Sequence, residues 1–99
     1  MSGLDRSVVL RDRDGLYVSA SLRGDGALEI SGQDLRHGEY EYFLTVGAEQ
    51  VPNVIAALGG EQGDDLLGLL EKHGDEIVRR GEKSWLEAAG VKVSFFSPS

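Results

Sequence analysis

The apolar residues of this chain change period at Gly47: before it they recur at every second position, after it at every third or fourth. The first spacing puts alternate side chains on opposite faces of a strand, and the second lines them along one stripe of a helix. A run of strands followed by a run of helices, with a strand-like Val91-Lys-Val-Ser-Phe-Phe96 at the end, implies an α+β plan. The clearest strand is Glu39-Tyr-Glu-Tyr-Phe-Leu-Thr-Val46, which combines aromatic and β-branched residues with strict alternation.

Upstream of this anchor strand, residues 7–12 and 16–22 read as a hairpin around Arg13-Asp14-Gly15. Leu16, Val18, Ala20 and Leu22 share one face, and an odd-length loop is needed to bring Val8 and Leu10 opposite them. The parity therefore predicts a type I turn over Arg13-Asp14 with Gly15 as a left-handed bulge, not a two-residue Asp-Gly turn. Arg23-Gly-Asp-Gly26 is a second turn, again with an odd loop, and leads to a third strand near residues 27–31. Residues 31–38 read as a polar connection with Gly32 as a bulge and Gly38 as a turn. In the anchor strand, Tyr40, Tyr42, Leu44 and Val46 extend the even, core-facing side, while Glu39, Glu41, Phe43 and Thr45 extend the odd side.

About three helices are expected next. Val51, Val54, Ile55 and Leu58 form one stripe, with Pro52 in the first turn and Gly59-Gly60 as the stop. Asp64-Asp65 favours the start of a second helix, which buries Leu66, Leu67, Leu69 and Leu70. Gly74 and Asp75 stop and restart the chain before a third helix carrying Ile77, Val78, Trp85 and Leu86, with Gly81 as its candidate break and Gly90 as its end. The expected fold is a mostly antiparallel sheet of about five strands, ββββ-ααα-β in chain order, with helices on one face. Places for the last strand beside the anchor strand and beside the first strand are both topologically open.

Ninety-nine residues suit a single domain spanning 1–99, with residues 1–5 and 97–99 expected to fray. No basic, apolar leader opens the chain and cysteine is absent, so a cytoplasmic location is expected. Seventeen acidic against ten basic residues give a net charge of −7, which repels nucleic acid and anionic lipid and attracts basic proteins.

No catalytic signature emerges, and the chain is read as a non-enzyme without cofactor or metal. His37 and His73 lack ligand spacing, and His73 serves a helix C-terminus. The glycines at 24, 26, 59, 60 and 63 match neither a dinucleotide fingerprint nor a phosphate loop. Glu39 and Glu41, about 7 Å apart along one strand face by strand rise, are the one carboxylate pair an acid–base enzyme could use; a solvated sheet face explains them more simply. The odd face is more informative. Tyr17, Phe43 and Phe96 stand there among Ser19, Ser21, Glu29, Glu39, Glu41, Thr45 and Ser94, as aromatics do in a protein-binding surface. Tyr17, Glu29, Glu39, Glu41, Phe43 and Phe96 are accordingly the candidate partner-contacting residues.

Small size, acidity, the Tyr40-x-Tyr42 strand, and Trp85-Leu86 followed by Gly90-Val91 and Phe95-Phe96 resemble small bacterial immunity proteins of toxin systems. The likeness spans roughly the second half of the chain and carries over no inhibitory residue. It implies a cytoplasmic inhibitor that occludes a basic protein such as a nuclease toxin. A self-associating structural or regulatory domain, a homodimer, is the alternative expectation.

Overall fold

The structure, a computed structural model, describes residues 6–36, 38–61 and 63–97; His37 and the terminal segments expected to fray, 1–5 and 98–99, lie outside them. Ser97, expected to fray with them, has its hydroxyl on the Glu41 carbonyl at 2.8 Å. Five strands, β1 (Arg6–Arg13), β2 (Leu16–Leu22), β3 (Leu28–Asp34), β4 (Tyr40–Val46) and β5 (Ser94–Phe96), form one antiparallel sheet in chain order. Between β4 and β5 run a 3-10 turn over Ala48–Gln50 and four helices: α1 (Val51–Ala57), α2 (Leu66–Lys72), α3 (Gly74–Arg80) and α4 (Glu82–Ala88). The expected α+β plan and element order are therefore those observed. Gly81, at φ +90°, divides the expected third helix into α3 and α4. β5 lies beside β4, which closes the choice left open by topology.

The core lies between the even sheet face and the helices. Leu16, Val18, Ala20, Leu28, Ile30, Leu44 and Val46 meet Val54, Ile55, Leu58, Leu66, Leu67, Leu70, Ile77 and Leu86, all buried. Each large side chain withdrawn from water in this way contributes about 1.5–3 kcal/mol. Helices α1 and α4 are closed by glycine. Gly59 and Gly90 adopt left-handed φ, and Gly60 and Val91 donate back to Ile55 and Leu86 at 2.9 and 3.0 Å, the double closure of a Schellman ending. Val91 and Leu86 are both buried, so the second closure also adds an apolar contact to the core.

Three local expectations are corrected. The first hairpin pairs Arg13 with Leu16, so its loop is the two-residue Asp14-Gly15, with φ of +58° and +79°. These angles suit a type I′ turn, whose twist matches that of the flanking strands. The parity switch sits in the strand instead: Val9 pairs with Ser19 and Arg11 with Val18, so Leu10 is an extra, bulged residue. Val8 and Leu10 still face the core side, and beyond the bulge Arg11 and Arg13 turn to the helix side. Both then reach Asp75 at the start of α3, at 3.4 and 3.5 Å. Gly74 rests on the bulge itself, where a Cβ would lie 3.1 Å from the Leu10 carbonyl oxygen. The second hairpin keeps the odd loop, residues 23–27, with Arg23 N–H on the Ala27 carbonyl at 2.9 Å.

Gly32 is not a bulge. It pairs in regular register with Val18 and Tyr42, and a Cβ there would overlap the Tyr42 ring. β3 accordingly runs on to Asp34 and the polar connection shortens. Third, Tyr40 does not hold the helices, although its parity is right. The helical layer packs chiefly over β1 and β2. Tyr40 and Phe95, at the far end of the same face, stay 41% and 48% exposed.

Gly15→Val is expected to lower stability by about 1–2 kcal/mol, because a β-branched residue resists the left-handed conformation. A lower Tm with unchanged circular dichroism at 25 °C would be the corresponding measurement.

Candidate functional site

The odd face of the sheet carries no helix, and its register arranges the side chains in rows. Across one end run Ser7, Ser21, Glu29, Thr45 and Ser94; across the middle Val9, Ser19, Ser31, Phe43 and Phe96; across the other end Asp12, Tyr17, Gln33 and Glu41. The middle row explains the local shape. Two serines, their hydroxyls 3.1 Å apart, stand low between Val9 on one side and Phe43 on the other. The result is a shallow depression of about 270 Å³ whose lining includes Val9, Arg11, Asp12, Tyr17, Glu41 and Phe43.

Aromatic surface is concentrated at the rim. Phe43 stacks on Phe96 with ring centroids 6.3 Å apart. Phe96 is 63% exposed, Val9 56% and Tyr17 43%, values that leave their apolar surface available for contact. Charge is sorted between the two faces. Arg6, Arg11 and Arg13 of β1 all turn to the helix side, where Arg6 meets Asp65 at 3.1 Å and the other two meet Asp75. The Arg6 guanidinium holds the Asp65 carboxyl below the usual carboxylate range. What remains on the rows of the open face is Asp12, Glu29 and Glu41, with no lysine or arginine among them.

Compared with family models, curated proteins and solved structures, the chain matches none of them. Its reading rests on geometry.

The candidate residues distribute unevenly over that geometry. Tyr17, Glu41 and Phe43 line the depression, and Phe96 extends it to the β5 edge through the stack on Phe43. Glu29 belongs to the row at the opposite end of the face and is half-buried. Glu39 precedes β4, is exposed and belongs to no row, whereas Glu41 lies within β4. Sequence reasoning overlooked Val9, which parity already places on this face, and Asp12, which the bulge at Leu10 turns to it. It also overlooked the contact between Tyr42 and Glu82, in which the phenol donates to the carboxylate. Glu82 is the buried charged side chain of the described residues, at 7% exposure. Its signal in the sequence is slight: an acidic residue directly after a break glycine reads as an ordinary first-turn residue.

Among the described residues, no group of three or more His, Cys, Asp or Glu side chains is placed to hold a metal ion. No helix among them is long and apolar enough to cross a membrane.

Proposed function

We propose that this protein is a small protein-binding module that occludes a basic protein partner through the open sheet face, in the manner of an immunity or antitoxin-type inhibitor. One observation carries the reading: an uncovered face on which Tyr17, Phe43, Asp12 and Glu41 stand at a depression, with Phe96 beside it and Glu29 in the row at the far end, while the guanidinium groups of Arg6, Arg11 and Arg13 pair with Asp65 and Asp75 of the helical layer. Aromatic residues with low conformational freedom supply affinity once desolvated, and the carboxylates steer a cationic surface to the site. The net charge of −7 adds a long-range field of the same sign.

Affinity capture from the native cell, followed by binding measurements at two salt concentrations, tests this. A captured basic protein should associate about tenfold more slowly with Glu29→Lys/Glu41→Lys than with the wild type at low salt. Capture of no basic protein, or an association rate indifferent to both charge reversal and salt, would sink the reading.

A second reading, self-association of the chain, is favoured by the β5 edge. Ser94, Phe95 and Phe96 are uncharged and all exposed, whereas β1 at the other edge carries three arginines and a bulge, features that discourage strand addition. Sedimentation at micromolar concentration distinguishes the two: a stable dimer supports self-association, and a monomer removes it.

A further inference from the structure

On the opposite side of the sheet from the proposed partner surface, the uncovered end of the helix-bearing face forms a separate cleft. Tyr40, Tyr42, Leu44 and Phe95 provide one wall, and the chain from Gly81 to Ser84 at the start of α4 provides the other, around about 210 Å³. The rings form a ladder: Tyr40 and Tyr42 have centroids 5.9 Å apart, and Tyr42 stacks on Phe95 at 6.2 Å with only 15° between planes. Glu82 lines the same cleft, buried to 7% exposure and accepting the Tyr42 hydroxyl.

We propose that this cleft binds a primary alkylammonium group, specifically a lysine side chain of a partner polypeptide. A buried carboxylate calls for a compensating charge, and a phenol supplies only one neutral hydrogen bond. Two basic side chains near the cleft, one of them the lining residue Lys83, pair with other carboxylates. Lys83 reaches Glu87 at 2.8 Å, and Arg36 forks onto Asp34 through bonds of 3.0 and 2.8 Å. An incoming ammonium would complete the pair with Glu82, while its butyl stem lay along the faces of Tyr40 and Phe95, whose π-electrons attract cations. The form of the cation follows from the carboxylate. With one oxygen of Glu82 already accepting from Tyr42, a guanidinium fork would have to share that oxygen, whereas a compact ammonium needs only the other one.

The test is a backbone-amide NMR titration at physiological salt with the peptide acetyl-Gly-Lys-Gly-amide and its norleucine and arginine counterparts. The lysine peptide should shift Tyr40, Tyr42, Phe95 and residues 81–84, and bind about tenfold more tightly than the norleucine peptide. Glu82→Gln, which keeps an acceptor for Tyr42, should remove that advantage, and Phe95→Ala, at an exposed position, should weaken binding several-fold without unfolding the chain. Equal binding of the norleucine or arginine peptide, or shifts spread over the whole acidic surface, would overturn the proposal. So would equal affinity for free n-butylammonium, which would make the cleft a small-amine site. The peptide comparison holds even if Glu82→Gln fails to fold. Because the cleft and the open face lie on opposite sides of the sheet, failure here leaves the sheet-face reading standing, and the reverse also holds.

Discussion

Tyr42→Ala is expected to lower stability by about 3–5 kcal/mol, seen as a reduced urea midpoint at unchanged slope. Tyr42 joins three parts of the molecule. Its ring lies over Gly32, where a side chain would collide with it; it stacks on Phe95; and its hydroxyl caps Glu82 of α4. The ring is only half-buried, so lost packing alone accounts for part of the cost. The remainder comes from Glu82, which would be left buried without its donor at about 1–3 kcal/mol. Tyr42→Phe separates the contributions. It keeps the ring and removes the hydroxyl, and should therefore cost about 1–3 kcal/mol. If the phenylalanine variant were as unstable as the alanine one, the ring would contribute nothing, and the seat at Gly32 would lose its explanation.

The same hydroxyl makes stability depend on alkaline pH. Burial, reinforced by the hydrogen bond to Glu82, pushes the Tyr42 phenol well above its ordinary value near 10. A group that holds its proton more tightly when folded stabilises the fold fully below the unfolded pKa, and that contribution declines as pH rises beyond it. Between pH 9 and pH 11 the wild type should thus lose more stability than Tyr42→Phe, which has no phenol to titrate at this position. Urea midpoints of the two proteins at both pH values would measure the difference.

Alternation located the strands because burial on one sheet face leaves a two-residue imprint, and the change of period at Gly47 located the helices for the same reason. Where the β1–β2 parity had to switch was not legible. A bulge and an odd turn satisfy the same alternation, and the choice between them rests on contacts of Leu10 with Gly74 and of Arg11 and Arg13 with Asp75, more than sixty residues away in the chain. Gly32 illustrates a related ambiguity: a glycine inside a strand marks either a bulge or a close approach, and only the position of the Tyr42 ring decides. Parity puts Tyr40 on the correct face, but how far the helices extend over that face depends on where α2 and α3 settle, which no local pattern records. On the open face, Tyr17, Glu41 and Phe43 followed from parity alone. Glu82 could not, since its partner lies 40 residues earlier.

Phe43→Ala is expected to leave folding nearly intact while weakening association by at least about thirtyfold, the loss of a hot-spot side chain worth about 2 kcal/mol. Phe43 is half-buried on the face away from the core, and its principal aromatic neighbour is Phe96 at 6.3 Å. Truncation therefore opens no internal cavity, and the cost to the fold should remain near 1 kcal/mol or less. At an interface the same ring sits at the centre of the middle row, between the serine floor of the depression and the β5 edge. That position makes it the anchor a partner would desolvate, with Glu41 and Asp12 on the rim. The kinetics should divide accordingly. Phe43→Ala should act mainly by accelerating dissociation, whereas Glu29→Lys/Glu41→Lys should act mainly by slowing association. If self-association is what the face serves, Phe43→Ala and Phe96→Ala should each shift a dimer toward monomer in sedimentation. A Phe43→Ala protein that binds its captured partner and sediments as the wild type does would remove both uses of the face, because neither can form without burying the one aromatic stack that the open rows contain.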